Sequence, residues 1–323
     1  MNIILIKTII IFFLLIFGIN FLNPFIVSIF FSNNKKEDNN FENFKDINFL
    51  IQKGKKLNHK YCLSIKDYII KREKPLDFEY ELIFIISLIY CRIPFSISRF
   101  GDGETLIMKG ERFNTNRDKW FWNNSNTKFK ESLIESTRIC NSQNNFIGLP
   151  CKIWSNYSNL ILSFSKCNES KYISYGTLFI NKNFLIFKEW ILKYIETPYR
   201  WKIILVANKI IKTNISWAYK FYPIPDHIVE NWNLFSESLL SSLSAEAIQN
   251  ELIFFISAGP ASNIIISYLL KVNKNNIYID FGSSIEFITK GYSTRTYNNK
   301  NSPNSQQRCE SFYIKNKTII YNI

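Results

Sequence analysis

Residues 251–284 read ELIFFISAGPASNIIISYLLKVNKNNIYIDFGSS, and the order of patterns in this stretch constrains the fold more than any other. An apolar run ends at Ala-Gly-Pro, a helically spaced apolar pattern follows, and a second short run closes on an acid and a glycine. Strand, helix and strand within about thirty residues is the βαβ unit of a parallel sheet. The expected class is therefore α/β, with a mostly parallel sheet and flanking helices. At 323 residues, 46% hydrophobic and 16% aromatic, the chain can bury a large core, and that composition excludes disorder over most of its length.

Other segments fit the same class. PLDFEYELIFIISLIY (75–90) predicts a buried helix with Pro near its start, and IPFSISRF (93–100) a strand. Residues 129–140 and 183–195 have helical spacing, and WKIILVAN (201–208) reads as a buried strand. Ile228, Trp232, Phe235, Leu239 and Leu243 recur at intervals of three and four, which predicts an amphipathic helix. Residues 298–307 are polar and read as a loop.

The N-terminal part differs in kind. No charge occurs between Lys7 and Lys35, and Ile9–Phe17 is unbroken apolar sequence. A charge-free stretch longer than about 18 residues is a transmembrane candidate. No small-x-small cleavage site follows it, which favours an anchor over a cleaved signal peptide. Residues 32–60, rich in Asn and Lys, read as a polar stem. The expected organisation is an anchor at 1–31, a stem at 32–60 and a catalytic domain at 61–323. Lysines lie on both sides of the apolar segment, and five N-x-S/T sequons (Asn123, Asn156, Asn168, Asn214, Asn316) are about what so Asn-rich a chain carries by chance. The expected location is a single-pass protein of an ER- or Golgi-type membrane with a lumenal C-terminal domain.

The formal net charge of +14 raises the question of nucleic acid. The lysines are spread along the chain without a basic stripe, so a nucleic-acid partner is not expected. A basic excess is compatible with an anionic small substrate. Six cysteines (62, 91, 140, 151, 167, 309) show no CxxC pair, and with only His59 and His227 a His-rich zinc site is not expected. The even count permits disulfides in an oxidising compartment and also suits buried thiols.

Ligands of open parallel sheets bind beyond the C-terminal ends of strands. Three predicted strand ends carry polar or glycine residues: Arg99–Glu104, Gly259–Ser262 and Asp280–Ser284. Asp102 and Glu104 are hard oxygen donors at the spacing of a Mg2+ or Mn2+ site shared with substrate phosphates. Gly101 and Gly103 would let a diphosphate approach the backbone, and Arg99 offers a guanidinium fork. Asp-Gly is equally a turn dipeptide, and Asp102 could cap a short helix running to Gly110. Gly259 and Pro260 form either a phosphate-binding turn or a tight connection; neither the G-x-G-x-x-G nor the Walker pattern is met. Asp280 and Glu286 could act as base or ligand, or as helix caps. Trp120, Trp122, Trp154 and Tyr157 could stack on a sugar or pack in the core.

SISRFGDGE, followed downstream by FFISAGPASNIIISYLL and IYIDFG, resembles the GT-D-type glycosyltransferases over roughly residues 75–290. The resemblance implies a Rossmann-like α/β fold, a nucleotide-sugar donor (often a UDP-sugar) and a divalent metal near its diphosphate. Asp102 and Glu104 match the Asp-x-Glu carboxylates, framed by Arg99, Gly101 and Gly103. Gly259 and Pro260 match the later turn, and Asp280 and Gly282 the strand end. Where the family commonly has a histidine after that glycine, this chain has Ser283 and Ser284, which leaves the identity of a general base open. The expected function is a membrane-anchored glycosyltransferase using Mn2+ or Mg2+ and acting on a glycan, glycoprotein or other hydroxyl acceptor. The alternatives are a nucleotidyl- or phosphotransferase and a non-catalytic nucleotide-sugar-binding protein.

Overall fold

A computed structural model describes residues 59–115, 120–141, 144–150, 155–165, 167, 169–197, 200–292, 295, 313–315 and 318–320. The expected anchor, the 298–307 loop and all of the expected stem except His59 and Lys60 lie outside the described residues. Among the described residues no helix is long and apolar enough to cross a membrane.

In chain order the elements are α1 (His59–Lys71), α2 (Phe78–Tyr90), β1 (Phe95–Arg99), α3 (Asp102–Lys109), β2 (Phe113–Thr115), β3 (Trp120–Trp122) and α4 (Thr127–Ser136). Next come β4 (Asn145–Leu149), α5 (Ser155–Ser165), β5 (Ile173–Tyr175), α6 (Phe184–Glu196), β6 (Lys202–Asn208), β7 (Lys220–Ile224) and α7 (Trp232–Ala247). The series continues with β8 (Leu252–Ser257), α8 (Ala261–Val272), β9 (Ile277–Asp280), α9 (Glu286–Thr289), β10 (Tyr313–Lys315) and β11 (Thr318–Ile320). Seven strands form one sheet in the order β5-β4-β1-β9-β8-β6-β7, and every pairing within it is parallel. Two antiparallel pairs, β2–β3 and β10–β11, stand outside it.

This order dictates the layers. The steps β1→β4, β4→β5, β7→β8 and β8→β9 all run one way across the sheet. Right-handed crossovers then place α4, α5, α7 and α8 on one face, where α8 touches both α4 and α7, and α4 touches α5. The step β5→β6 runs the other way and carries α6 to the opposite face. There α6 meets α2 through Tyr90 and Tyr194, with ring centroids 5.9 Å apart. Covered on both faces, the central strands are apolar throughout, as FFI of β8 and IYI of β9 show. Where α8 crosses β1, β1 contributes the small, fully buried Ser96 and Ser98.

Among the described residues the sheet has two edges. β5 is three residues long, and β7 carries Pro223 and the exposed Lys220. A disulfide between Cys62 and Cys91 joins α1 to the end of α2, with Cα atoms 5.2 Å apart.

Two expectations change. The stripe from Ile228 to Leu243 is a helix only from Trp232: Ile228 is buried in the preceding turn, and Phe235 lies on the outer side with Leu234, which is 77% exposed. Helix α3 does run to Gly110, which ends it at φ +80°, but Asp102 is its first residue rather than its cap. Glu104 does the capping, its Oε2 accepting from the Gly101 N–H at 2.9 Å.

Candidate functional site

Because β1, β9 and β8 are neighbours in one parallel sheet, their C-terminal turns adjoin. The topology thus brings the three predicted strand ends together at one edge, where open α/β sheets bind ligands.

Arg99 ties these ends to one another. Its Nε donates to the Asp280 carbonyl at 2.6 Å and its Nη1 to the Gly176 carbonyl, beyond β5, at 3.1 Å. The guanidinium lies 3.6 Å from Asp280 Oδ2 and stands 5.6 Å from the centre of the Phe179 ring. The Arg99 carbonyl accepts from Asn263 Nδ2 of α8 at 3.0 Å. Gly148 and Gly282 make room for this side chain. A Cβ on Gly148 would lie 3.1 Å from Arg99 Cγ, and one on Gly282 would fall onto Nη2, at a residue whose φ is already +51°. The expected phosphate fork is therefore largely engaged by backbone carbonyls.

Three carboxylates belong to the same strand ends, and Asp280 is the one paired with Arg99. Asp102 is exposed at the start of α3, with Oδ1 3.0 Å from the Gly103 nitrogen. Glu104 is half-buried as a residue, but its carboxyl group is withdrawn from water, and this burial pushes its pKa up to about 7. The bond from the Gly101 N–H opposes the rise, whereas the negative charges of Asp280 and Asp102 add to it. Asp280 is also raised by burial, with Arg99 pulling back and Ser262 and the Gly282 N–H, at 2.9 Å, favouring the charged form. Glu104 thus feels the negative charges of Asp102 and Asp280, while the Arg99 charge acts on Asp280; surplus negative charge of this kind favours a cation.

The remaining predicted residues fall as follows. Gly259 (φ +55°) and Pro260 lead from β8 into α8, and Ser262 Oγ accepts from the Ala258 N–H at 3.0 Å. Gly282 is held by its carbonyl, which accepts from Ser257 Oγ at 2.7 Å, and Ser283 follows in the same 3-10 turn. Glu286 starts α9 and pairs with Lys290 at 2.8 Å. Among the described residues no cluster of three or more His, Cys, Asp or Glu is arranged as a metal site. Asp102 and Glu104 alone match the one or two carboxylates that Mg2+ uses when substrate phosphates and water complete its shell.

Sequence reasoning missed the device above these turns. Trp120, on the β2–β3 hairpin, is buried against two glycines: a Cβ on Gly103 would lie 2.8 Å from its Cη2, and one on Gly259 3.4 Å from its Nε1. Trp120 thus packs across the β1 and β8 turns together. Of the other aromatics, Trp122 packs on Phe129, Tyr157 faces Lys109, and Trp154 lies outside the described residues. We expect Gly103→Ala to lower stability by about 1–3 kcal/mol by urea unfolding, because the added methyl drives the indole off. In a Trp120→Phe background the same substitution should cost less.

Also missed was the loop after β7. His227, at φ +60°, has Nδ1 3.0 Å from Glu230 Oε1, and that oxygen accepts from the Phe121 N–H at 2.8 Å. The hairpin is therefore joined to this loop as well. A lone histidine without spacing partners gave no signal for it.

An α/β protein with an Arg-centred acidic site at the C-terminal edge of a seven-stranded parallel sheet is the class these features define. No family model and no curated protein matches the chain. Two solved structures are similar to it. One, described as the highly conserved domain of unknown function 1792 with a distinct glycosyltransferase fold, is 14% identical, with a TM-score of 0.46 over 86% of this chain and 96% of that one. The other, a selenomethionine-substituted structure of domain of unknown function 1792, is 15% identical, with a TM-score of 0.45 and the same coverage.

Proposed function

We propose that the chain is a metal-dependent glycosyltransferase that moves a sugar from a nucleotide-sugar donor, in first instance a UDP-sugar, to a hydroxyl acceptor on a glycan or glycoprotein. The observation that carries this reading is the meeting of Asp102, Glu104, Asp280 and Arg99 at the adjoining ends of β1 and β9. Asp102 and Glu104 would hold Mn2+ or Mg2+. When bound, the ion supplies positive charge to neutralise the departing nucleoside diphosphate.

Each group of the chain then has a part. Asp102, exposed at the first turn of α3, faces the incoming ligand. Glu104 would hold a cation in its charged form, which a neighbouring positive charge favours and burial disfavours. Arg99 holds the turn after β9 in place and adds a fixed positive charge to the edge. Gly101, Gly103, Gly259, Pro260, Gly282 and Ser283 line turns that donor phosphates and sugar could approach. Asp280, paired with Arg99, is the nearest candidate for a base, and Glu286 is the second. We further propose a membrane-anchored protein of the ER or Golgi with its catalytic domain in the lumen; the Cys62–Cys91 disulfide supports an oxidising compartment.

The full chain in detergent, given a nucleotide-sugar panel with Mn2+ or Mg2+, should release nucleoside diphosphate and transfer sugar to acceptor. Asp102→Asn and Glu104→Gln should each lower that rate by about tenfold or more. Wild-type rates in both variants would remove these carboxylates from the reaction. Transfer of phosphate or nucleotide instead of sugar would favour a nucleotidyl- or phosphotransferase. Donor binding without turnover on any acceptor would favour a binding protein.

A further inference from the structure

Two cysteines away from the acidic site lie together although 27 positions separate them in sequence. Cys140 is fully buried in the 3-10 turn Thr137–Asn141 that follows α4. Cys167 lies just beyond the end of α5, partly exposed, with its N–H donating to Ser165 Oγ at 3.0 Å and its thiol to the Glu169 carbonyl at 3.6 Å. The 3-10 turn packs on α5, and the Cys140 thiol reaches both Ser165 and the Cys167 sulfur, with which it shares a hydrogen bond. Two sulfurs in hydrogen-bond contact need little backbone movement to join. The chain already carries one disulfide, Cys62–Cys91, so the surroundings that oxidise that pair can also reach this one.

We propose that Cys140 and Cys167 form a second disulfide by exchange with a low-molecular-weight disulfide of the glutathione type. The partly exposed Cys167 loses its proton to solvent and attacks one sulfur of the external disulfide. That S–S bond breaks, one small thiolate leaves and takes up a proton, and a mixed disulfide remains on Cys167. Cys140 then loses its proton and attacks the Cys167 sulfur, expelling the second small thiolate. Two protein thiols are oxidised by two electrons, and one external disulfide is reduced to two thiols. The order follows exposure, since only Cys167 is open to the oxidant. The hydrogen bond from Cys140 also lowers the Cys167 thiol pKa, whereas donating that bond, together with burial, raises that of Cys140.

The bond would tie the turn before β4 to the end of α5, in the crossover between β4 and β5. β4 provides the Gly148 carbonyl that accepts from the Phe100 N–H at 2.9 Å, and the turn after β5 provides the Gly176 carbonyl on Arg99. The second disulfide therefore fixes the half of the sheet against which Arg99 is held.

The test equilibrates the full chain with mixed oxidised and reduced glutathione, blocks remaining thiols by alkylation, and maps peptides without reduction. The expected result is a Cys140–Cys167 linked pair beside Cys62–Cys91, and a Tm about 5–10 °C above that of Cys167→Ser under the same conditions. Cys140→Ser should retain glutathione on Cys167. Cys167→Ser, a change at the exposed partner, should leave Cys140 a thiol that is alkylated only after unfolding. Recovery of both cysteines in alkylated form from the oxidised wild type would overturn the proposal, and so would linkage of either one to Cys151 or Cys309.

Discussion

Arg99→Leu should destabilise the protein by about 3–5 kcal/mol, read as a lower urea midpoint at unchanged m-value. The change removes the bonds to the Asp280 and Gly176 carbonyls, at 2.6 and 3.1 Å. It also leaves a carboxylate that is only 7% exposed without its counter-charge. An uncompensated buried charge costs more than the ion pair contributes, which sets the size of the effect. Arg99→Lys should recover little, because one ammonium cannot hold two carbonyls in the directions of the guanidinium fork. Asp280→Asn combined with Arg99→Leu should recover part of the loss, since no buried charge is then stranded. A single-variant loss below about 1 kcal/mol would contradict a bracing role for Arg99.

The second large effect is a pH dependence carried by Glu104. Its folded pKa, about 7, lies above its ordinary 4.5. Between these values the folded state holds a proton that the unfolded state has released, so stability falls as pH rises. The contribution is fully present below about pH 4.5 and lost above about pH 7. Its slope approaches 1.4 kcal/mol per pH unit, and the whole amounts to about 3 kcal/mol. Other acids titrate in the same range, so the informative quantity is the difference between wild type and Glu104→Gln in metal-free buffer. That difference should decline from pH 4.5 to 7. A flat difference would mean that Glu104 titrates as an exposed carboxylate. If the proposed cation site exists, saturating Mn2+ should flatten the decline, because the ion favours the charged form.

The parts of this fold that sequence discloses are those with a strong period or a marked terminus. LIFFIS and IYID announce buried strands, and Ala-Gly-Pro with the following apolar spacing announces α8. The parallel class put the three strand ends on one edge, and their adjacency came from the strand order. What sequence hides is what depends on partners far along the chain. Gly176 and Gly148 look like ordinary glycines; the Arg99 side chain against Gly148, and the Leu149 and Phe100 carbonyls against Gly176, show why neither has room for a Cβ. The WFW triplet looks like core, and Trp120 gains its special position from glycines 17 positions before it and 139 after it. The stripe through Ile228 misjudged α7 because periodicity reports which residues are apolar, not which face finds a neighbour: Leu234 and Phe235 meet none that covers them. Asp102 and Glu104 stood out from the start, but their division of labour needed coordinates. Glu104 is the residue that turns back on its own helix, and Asp102 is the one left facing outward.

The two edges of the seven-stranded sheet also bear on how the protein behaves at high concentration. A parallel sheet with open sides can accept further strands from other molecules, and edge-to-edge growth is the usual route from a soluble sheet to an aggregate. On one side Pro223 has no N–H to offer in β7, and the charged Lys220 lies beside it. On the other, β5 is only three residues long and leaves a short row of groups for a newcomer. A single proline and a truncated strand thus keep neighbouring copies from extending one another's sheets in a crowded compartment.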